Sequence, residues 1–403
     1  MKDAPGNVDA AIRNGKVDAE PSRPPRLLID VSEVVNTDYG TGIHRVVRNL
    51  ARALLRNADS AKWSSVAVAH TPDGAMRDAH DYAERVLGVV APSATAIGPH
   101  LPGDTLLLLD SAWEHPERFL ADIQALQEAG GRAGALVYDL IPLRFPQYCV
   151  DFMPPIFERW LRFVVHHCDF LVCISRSVAD DLAAWIQQSG TYVRAGLRIG
   201  HIHLGAEIGE SAAPLPPSLR TVEAMAGARS VLMVGTIEPR KRHDVALAAF
   251  ELAWGSGSEL RMVIMGRQGW HVEELVQTIC GHRELGSRLF WIDSPGDSDL
   301  QHAYRAARCL LQASDAEGFG LPLVEAANYS APLLLSDIPV FHEIAGAYAD
   351  YFAAGDPQAL SNWLLPGAPQ PRPSYSGLAI TWVDSAGRLL ELMAGREWDH
   401  QFP

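Results

Sequence analysis

Several things are scarce in this chain, and each scarcity excludes a class of protein. The five cysteines (Cys149, Cys168, Cys173, Cys280 and Cys309) are odd in number, scattered and never paired as CxxC. No disulfide framework or zinc ribbon is expected, and a reduced cytoplasmic protein is the simplest account. Apolar runs are short; those at 105–109 and 331–335 fall far short of the roughly 20 residues a spanning helix needs. Cationic charge is outweighed, 34 Lys and Arg against 48 Asp and Glu, and the formal net charge of −14 argues against nucleic acid and against a broadly basic membrane face. Residues 1–25 are polar, contain proline and lack an apolar h-region, so they read as a flexible extension rather than a secretion signal. No HExxH or HxxEH spacing occurs, so His166, His167 and His243 read as packing or surface histidines rather than zinc ligands.

What remains is ordinary globular composition in a chain too long for one core and suited to two domains of similar size. Apolar runs at 27–31, 65–69, 105–109, 135–138 and 170–174 alternate with helical stretches at 43–56, 116–129 and 178–188. A second series has strand-like runs at 230–234, 261–265, 289–292, 309–312 and 332–336, with helical patterns near 244–254, 272–282, 299–307 and after 320. Such alternation predicts an α/β chain with parallel sheets flanked by helices, here two doubly wound Rossmann-like units. Between them, 205–230 contains Ala-Ala-Pro-Leu-Pro-Pro and few strand signals. The expected division is an extension at 1–25, a first domain at 26–210, a linker at 211–229, a second domain at 230–375 and a terminal helix within 376–403. Ligands of such sheets bind beyond the carboxyl ends of the strands, so strand-end motifs should line a cleft between the two units.

The densest motif is Glu317-Gly318-Phe319-Gly320-Leu321-Pro322-Leu323-Val324-Glu325. It sets two carboxylates eight residues apart around a glycine-rich turn into a helix. Glycine lets backbone N–H groups approach a ligand, and proline is favoured at the first helical position, so the helix starts at Gly320 to Leu321. A helix N-terminus attracts phosphate. Glu317 in the loop is then free to accept hydrogen bonds from hydroxyls, and Glu325, about one turn into the helix, reaches a second set. Taken without neighbours, the same residues also fit an acidic first turn set against the helix dipole.

Neighbouring motifs lie at other strand ends. Gly235-Thr236-Ile237-Glu238-Pro239-Arg240-Lys241 follows the run 231–234, and Arg240 and Lys241 suit a pyrophosphate, one as a fork and one as a point charge; a solvated basic face is the plainer reading. Gly40 and Gly42 precede a helix and permit close approach to an anion, or form an ordinary loop. Arg45, Arg48, Arg52 and Arg56 make one side of that helix basic, either as a solvated face or as a contact for anionic lipid or a phosphate-bearing acceptor. Asp139 follows the run 135–138 and either contacts a sugar or caps the next turn. Asp297-Ser298-Asp299 resembles a DxD metal pair but directly precedes a helix, where aspartate is a preferred N-cap, so no metal is expected there.

Taken together, 317–325, the run from Gly235 to Lys241 and the continuation Ala326-Ala327-Asn328-Tyr329-Ser330-Ala331-Pro332-Leu333 to Ser336-Asp337 resemble the retaining nucleotide-sugar glycosyltransferases of family 4, the glycosyl transferases group 1. Their fold is GT-B, and the likeness runs over nearly the whole chain from Leu27. Asp30-Val31-Ser32 followed by Thr41-Gly42-Ile43-His44-Arg45-Val46 is similar to a branch rich in mannosyl- and rhamnosyltransferases of bacterial surface polysaccharides. The resemblance implies an acceptor-side domain at 26–210 facing a nucleotide-sugar domain at 230–375 across a cleft, with the last helix crossing back to the first domain. It implies Glu317 on the hydroxyls of the donor sugar and Glu325 on those of the ribose. The amides of Gly318, Phe319, Gly320 and Leu321 would hold sugar and phosphates, and Arg240 and Lys241, beyond Gly235, the pyrophosphate, with Gly42 approaching from the opposite domain. Glu317, Asp139, Arg240 and Lys241 form the implied catalytic set. Two positions depart from the family pattern. Thr236 stands where the family often has arginine, so Arg240 is expected to supply that charge; Tyr138 stands where it often has histidine, so a Tyr138 backbone or hydroxyl contact, or Asp139, is expected to take that role.

The implied chemistry is transfer with retained anomeric configuration, the leaving phosphate being stabilised by cations and helix dipoles and itself accepting the acceptor's proton. No cofactor and no metal is then required. The implied partners are a nucleotide sugar, GDP-mannose favoured, and a glycan or lipid-linked oligosaccharide acceptor, with peripheral contact at the inner face of the cytoplasmic membrane. Competing readings are a GT-B sugar-nucleotide epimerase, a phosphorylase, for which the sparse lysines of the second unit offer no obvious pyridoxal phosphate anchor, and a catalytically silent sugar-nucleotide-binding protein.

Overall fold

The structure is a computed structural model that describes residues 24–403 apart from 39, 57–62, 72–73, 91–96, 98, 210–215, 228, 374 and 396. The expected extension, but for its last two residues, and 211–215 of the expected linker lie outside the described residues.

The first half of the chain supplies β1 (Arg26–Asp30), β2 (Ser64–His70), β3 (Met76–Asp78), β4 (Thr105–Leu108), β5 (Arg132–Val137), β6 (Phe170–Cys173) and β7 (Arg198–His201). The second supplies β8 (Ser230–Val234), β9 (Arg261–Met265), β10 (Leu289–Ile292), β11 (Cys309–Gln312), β12 (Leu333–Ser336) and β13 (Asp350–Phe352), and the last residues form β14 (His400–Gln401). Sheet one runs β3-β2-β1-β4-β5-β6-β7-β14 and is parallel except at its two edges; sheet two, β10-β9-β8-β11-β12-β13, is parallel throughout. Strands covered by helices on both faces must be apolar on both, which is why β4, β6 and β12 are buried along their whole length. Leu28 of β1 lies opposite Val66 and Leu106, placing the switch in strand order of sheet one between β1 and β4; that of sheet two falls between β8 and β11. Those two crevices are where a doubly wound sheet offers its ligand site.

Three helices bear on the site and on the join between the domains. Gly42–Arg56 buries Val46, Val47, Leu50, Ala51 and Leu54 on one side. Asp297–Ala306 starts at the Gly296 N-cap rather than at the aspartates: Asp299 reaches back from inside the first turn to accept from Gly296 N at 3.1 Å and from Ser218 N at 2.8 Å. The terminal helix expected within 376–403 is Trp382–Met393, and Thr381 and Asp384 form a reciprocal capping box that fixes its start. This last helix packs on Gly42–Arg56, Arg132 donates to its Met393 carbonyl at 2.8 Å, and β14 then pairs with β7. The chain therefore passes between the sheets twice, and the passages touch: Ala206 N donates to Ile380 O at 2.9 Å and Trp382 N to Glu207 Oε2 at 2.8 Å. Among the described residues no helix is long and apolar enough to cross a membrane.

Candidate active site

At the switch in sheet two, Gly235 follows β8 with φ 137°, and a Cβ there would lie 3.1 Å from Lys241 Cε. The missing side chain makes room for the lysine stem to fold back over the strand end. A single 3-10 turn, Pro239–Lys241, presents Arg240 and Lys241 together. Beyond β11 the loop turns into the Leu321–Asn328 helix at Gly320, whose φ of 95° is a left-handed conformation that suits glycine; Leu321 and Pro322 open the helix.

Within this loop Glu317 Oε1 accepts from Lys241 Nζ at 2.6 Å and from Ser314 Oγ at 2.9 Å, while Oε2 lies 2.6 Å from Arg240 Nη1. Arg240 also meets Glu238 Oε1 at 2.6 Å and donates to Ala316 O at 3.0 Å. Burial pushes the Glu317 carboxyl up, but the charges and hydrogen bonds of Arg240 and Lys241 outweigh it and hold the group at about 2. Glu317 is therefore an anion at neutral pH, able to accept hydrogen bonds and without a proton to give. The expectation that its oxygens stand free is corrected: with 7% of its side chain exposed, it is held by the two cations assigned to the pyrophosphate. Two anions and two cations gathered out of water neutralise one another.

The opposite wall comes from the end of β5. Asp139 Oδ1 accepts from Ile141 N at 2.9 Å, so the residue does cap the following turn. Burial raises its carboxyl above the usual range against the pull of Arg240, whose charge reaches it across the cleft. The loop packs directly on this wall: a Cβ on Gly318 would lie 2.2 Å from Tyr138 O and 3.1 Å from Asp139 Cβ, and Ser175 Oγ donates to Gly318 O at 2.7 Å. Tyr138 shows its carbonyl here and nothing else. Its ring is buried, and its hydroxyl donates to Leu109 O at 2.7 Å inside the first domain, so the hydroxyl does not stand in for the family's histidine. Phe319 is buried against the His203 ring, with centroids 5.6 Å apart.

Glu325, one turn into its helix and 1% exposed, accepts from Tyr304 OH at 2.7 Å and from Arg45 Nη2 at 2.5 Å. Gly42 is exposed at the start of the helix that carries Arg45. The basic helix side is thus corrected: Arg45 is spent on Glu325, Arg48 pairs with Asp38, and Arg52 donates to Leu87 O and Asn49 Oδ1, each at 2.9 Å. The fold brings Glu317, Arg240, Lys241, Gly235, Gly318 and Asp139 into one cluster and ties Glu325 to the first domain through Arg45.

Three contributors carried no local signal. Ser175 holds the loop, while His203 Nε2 lies 3.0 Å from Glu343 Oε1, which also accepts from Arg176 N at 2.7 Å. The other Glu343 oxygen takes Ser177 N and Oγ at 2.7 and 2.6 Å. These contacts hold Glu343 at about 2 against the upward push of burial. Ligating atoms of His201, His203 and Glu343 lie within 4.8 Å of one another, the arrangement among the described residues closest to a metal-ligand set, but Glu343 is already engaged by His203 and the backbone. In the crevice of sheet one Asp30 is fully buried, with Oδ1 bonded to Ser32 and Oδ2 without a hydrogen-bond partner. Burial, with Asp110 nearby, pushes its carboxyl up to about 7. Beside Glu238 opens a cavity of about 680 Å³, walled by Tyr148 from the first domain and Arg242, Asp244, His271 and Glu273 from the second.

Residues 221–364 match the family model of glycosyl transferases group 1. The chain is 34% identical over 390 residues to the serotype-specific mannosyltransferase WbdA of Escherichia coli, a match covering 91% of this chain and 46% of that protein. It spans about half the length of the curated relatives it matches. Among solved structures, Anabaena Alr3699/HepE in complex with UDP and glucose aligns with a TM-score of 0.55 at 14% identity, covering 92% of this chain and 95% of that one. A sucrose-phosphate synthase from Thermosynechococcus elongatus aligns at 0.54 and 16% identity, covering 92% and 95%. At these identities the likeness speaks for the fold alone. With its motif cluster at the mouth of two facing parallel sheets, the chain has the GT-B fold, and its residues 221–364 carry the glycosyl transferases group 1 domain.

Proposed function

We propose that this chain is a retaining glycosyltransferase that moves a hexose from a nucleotide sugar, GDP-mannose being favoured, to a glycan or lipid-linked glycan acceptor in surface polysaccharide synthesis. The observation that carries the reading is Glu317 held between Arg240 and Lys241 at a glycine-rich helix start. An arriving diphosphate competes for both cations and releases the Glu317 carboxylate to the sugar hydroxyls, so phosphate binding arms sugar binding. The bond from the anomeric carbon to the phosphate oxygen then breaks while the acceptor oxygen bonds on the same face. The acceptor's proton passes to the leaving phosphate oxygen, and Arg240, Lys241 and the helix amides of Gly320 and Leu321 stabilise the charge that develops there. Glu317, ionised down to about pH 2, serves by position. Asp139, with its raised carboxyl, faces the same point from the acceptor side. Nothing in this scheme calls for a metal or other cofactor, and a cytoplasmic location follows from the donor. The cavity beside Glu238, with its tyrosine and carboxylates, offers hydroxyl-bearing acceptors a polar wall. The mannosyltransferase name of the relatives supports the choice of sugar.

The test is turnover of GDP-mannose with a mannose-terminated synthetic acceptor, with UDP-sugars in parallel, following nucleotide release and the anomeric configuration of the product by NMR. Retained configuration in the wild type and loss of turnover in Glu317→Ala are expected. An inverted product overturns the mechanism. Conversion of donor without acceptor identifies an epimerase, and binding without turnover a silent binding protein.

A further inference from the structure

Both oxygens of Glu325 are engaged, and the two partners are not equivalent. Tyr304 belongs to the same domain, is 1% exposed and stacks on Tyr329 with ring centroids 5.9 Å apart, so it is fixed in place. Arg45 reaches in from the other domain, 280 residues away in sequence, and keeps 21% of its side chain exposed. A carboxylate that grips the hydroxyls of a ribose needs an oxygen to offer, and the one that can be vacated is Arg45's. Pulling a guanidinium off Glu325 strands a charge in a largely enclosed position unless an anion arrives with the ribose. The diphosphate is that anion, because it is bonded to the same ribose. Space for it exists on Arg45's own helix: Gly42 opens that helix, and a Cβ built there would meet nothing within 4 Å. The positive end of the helix dipole lies at the same place.

We propose that Arg45 is a donor-binding residue, which occupies Glu325 in the donor-free protein and passes to the donor diphosphate when ribose hydroxyls take its place. Recognition of the ribose by the second domain is thereby coupled to recognition of the phosphates by the first. The inference rests on the reading of Glu325 as the ribose carboxylate of a nucleotide-sugar enzyme.

The test is titration calorimetry of the wild type, Arg45→Gln and Arg45→Lys with GDP, UDP, guanosine and uridine, alongside the thermal midpoint of each ligand-free protein. For whichever diphosphate the wild type binds more tightly, Arg45→Gln should weaken binding about 10- to 100-fold, the range for loss of a charge-assisted hydrogen bond, while the matching nucleoside, which no longer has to displace a guanidinium from Glu325, should bind as well as before or more tightly. Arg45→Lys should recover part of the diphosphate affinity, which a purely structural tie would not require. Equal losses for diphosphate and nucleoside would reduce Arg45 to an interdomain tie and overturn the proposal. Unchanged or tighter diphosphate binding would mean that Arg45 only blocks Glu325, and overturns it as well. A wild-type chain that binds neither diphosphate removes the glycosyltransferase reading itself, and the role of Arg45 falls with it.

Discussion

Replacing Gly318 with alanine puts a methyl carbon 2.2 Å from the Tyr138 carbonyl oxygen, where real Cβ atoms essentially never come closer than 3.0 Å. Loop and strand end must therefore part by at least 0.8 Å, the difference between those two distances. The obstacle is backbone, with Asp139 Cβ at 3.1 Å and Ile174 Cδ1 at 3.3 Å behind it, so no rotamer relieves it. Overpacking of this kind costs about 1–3 kcal/mol, and retreat of the loop also gives up the Ser175 hydrogen bond, about 1 kcal/mol more. The penalty falls on the contact between domains rather than on either core, so the thermal midpoint should move by only a few degrees. Chemistry should suffer far more, because a displacement of about 1 Å in a reacting array costs on the order of 100-fold in rate. The assay is steady-state nucleotide release with donor and acceptor, run beside Gly387→Ala, a half-buried helix position whose Cβ meets nothing within 4 Å. A Gly318→Ala enzyme with wild-type kcat/KM would refute the claim that this seam sets the active geometry.

Glu317→Gln leaves Arg240 and Lys241 facing a neutral amide in a site with little solvent; about 3 kcal/mol of stability should go with turnover, as read by urea unfolding. Glu343 is depressed to about 2 from 4.5, so its contribution is fully present above pH 4.5 and lost as pH falls through 2. The stability gap between wild type and Glu343→Ala should close over that window in an acid titration followed by circular dichroism. Asp30 has the opposite sign: its folded carboxyl is raised from 3.8 to about 7, so its contribution is present below pH 3.8 and lost as pH rises through 7. Asp30→Asn should therefore be more stable than wild type above pH 7, by up to a few kcal/mol, and show no such gain below pH 3.8; a variant no more stable at pH 8 would contradict the buried-charge account.

The alternation of apolar runs was enough to read two parallel α/β units, because strands covered on both faces must be continuously apolar and β4, β6 and β12 are. Glu317, Gly320 and Glu325 were legible for a similar reason: glycine, proline and carboxylate at fixed spacing encode a turn, a helix start and two acceptors within nine residues of chain. Partners distant in sequence were not. Nothing near Arg45 announces Glu325, and nothing near His203 announces Glu343, since only the closed arrangement of the domains brings them together. The basic stripe misled because spacing alone does not separate a solvated arginine from one committed to a carboxylate. Tyr138 is different, since the information was present in the strand pattern. Leu136 and Tyr138 share one face of β5 and its extension, Ala135 and Val137 the other, and both faces pack into core, so only the carbonyl of Tyr138 was available to the cleft.

The two passages of the chain between the sheets have a mechanical consequence. Ala206 bonds to Ile380 and Glu207 to Trp382, and Gly205 lies so close that a Cβ would come within 2.5 Å of Trp382 N. Two strands of tether joined side by side act as one post. The domains then swing like a door rather than drift apart, and opening is largely confined to a single angle. Loop 317–320, Arg45 and the Glu343 contacts each bridge the two domains, so a rotation about that post is felt at all three. A molecule lodged among them touches both domains at once and so competes directly with the contacts that hold them together.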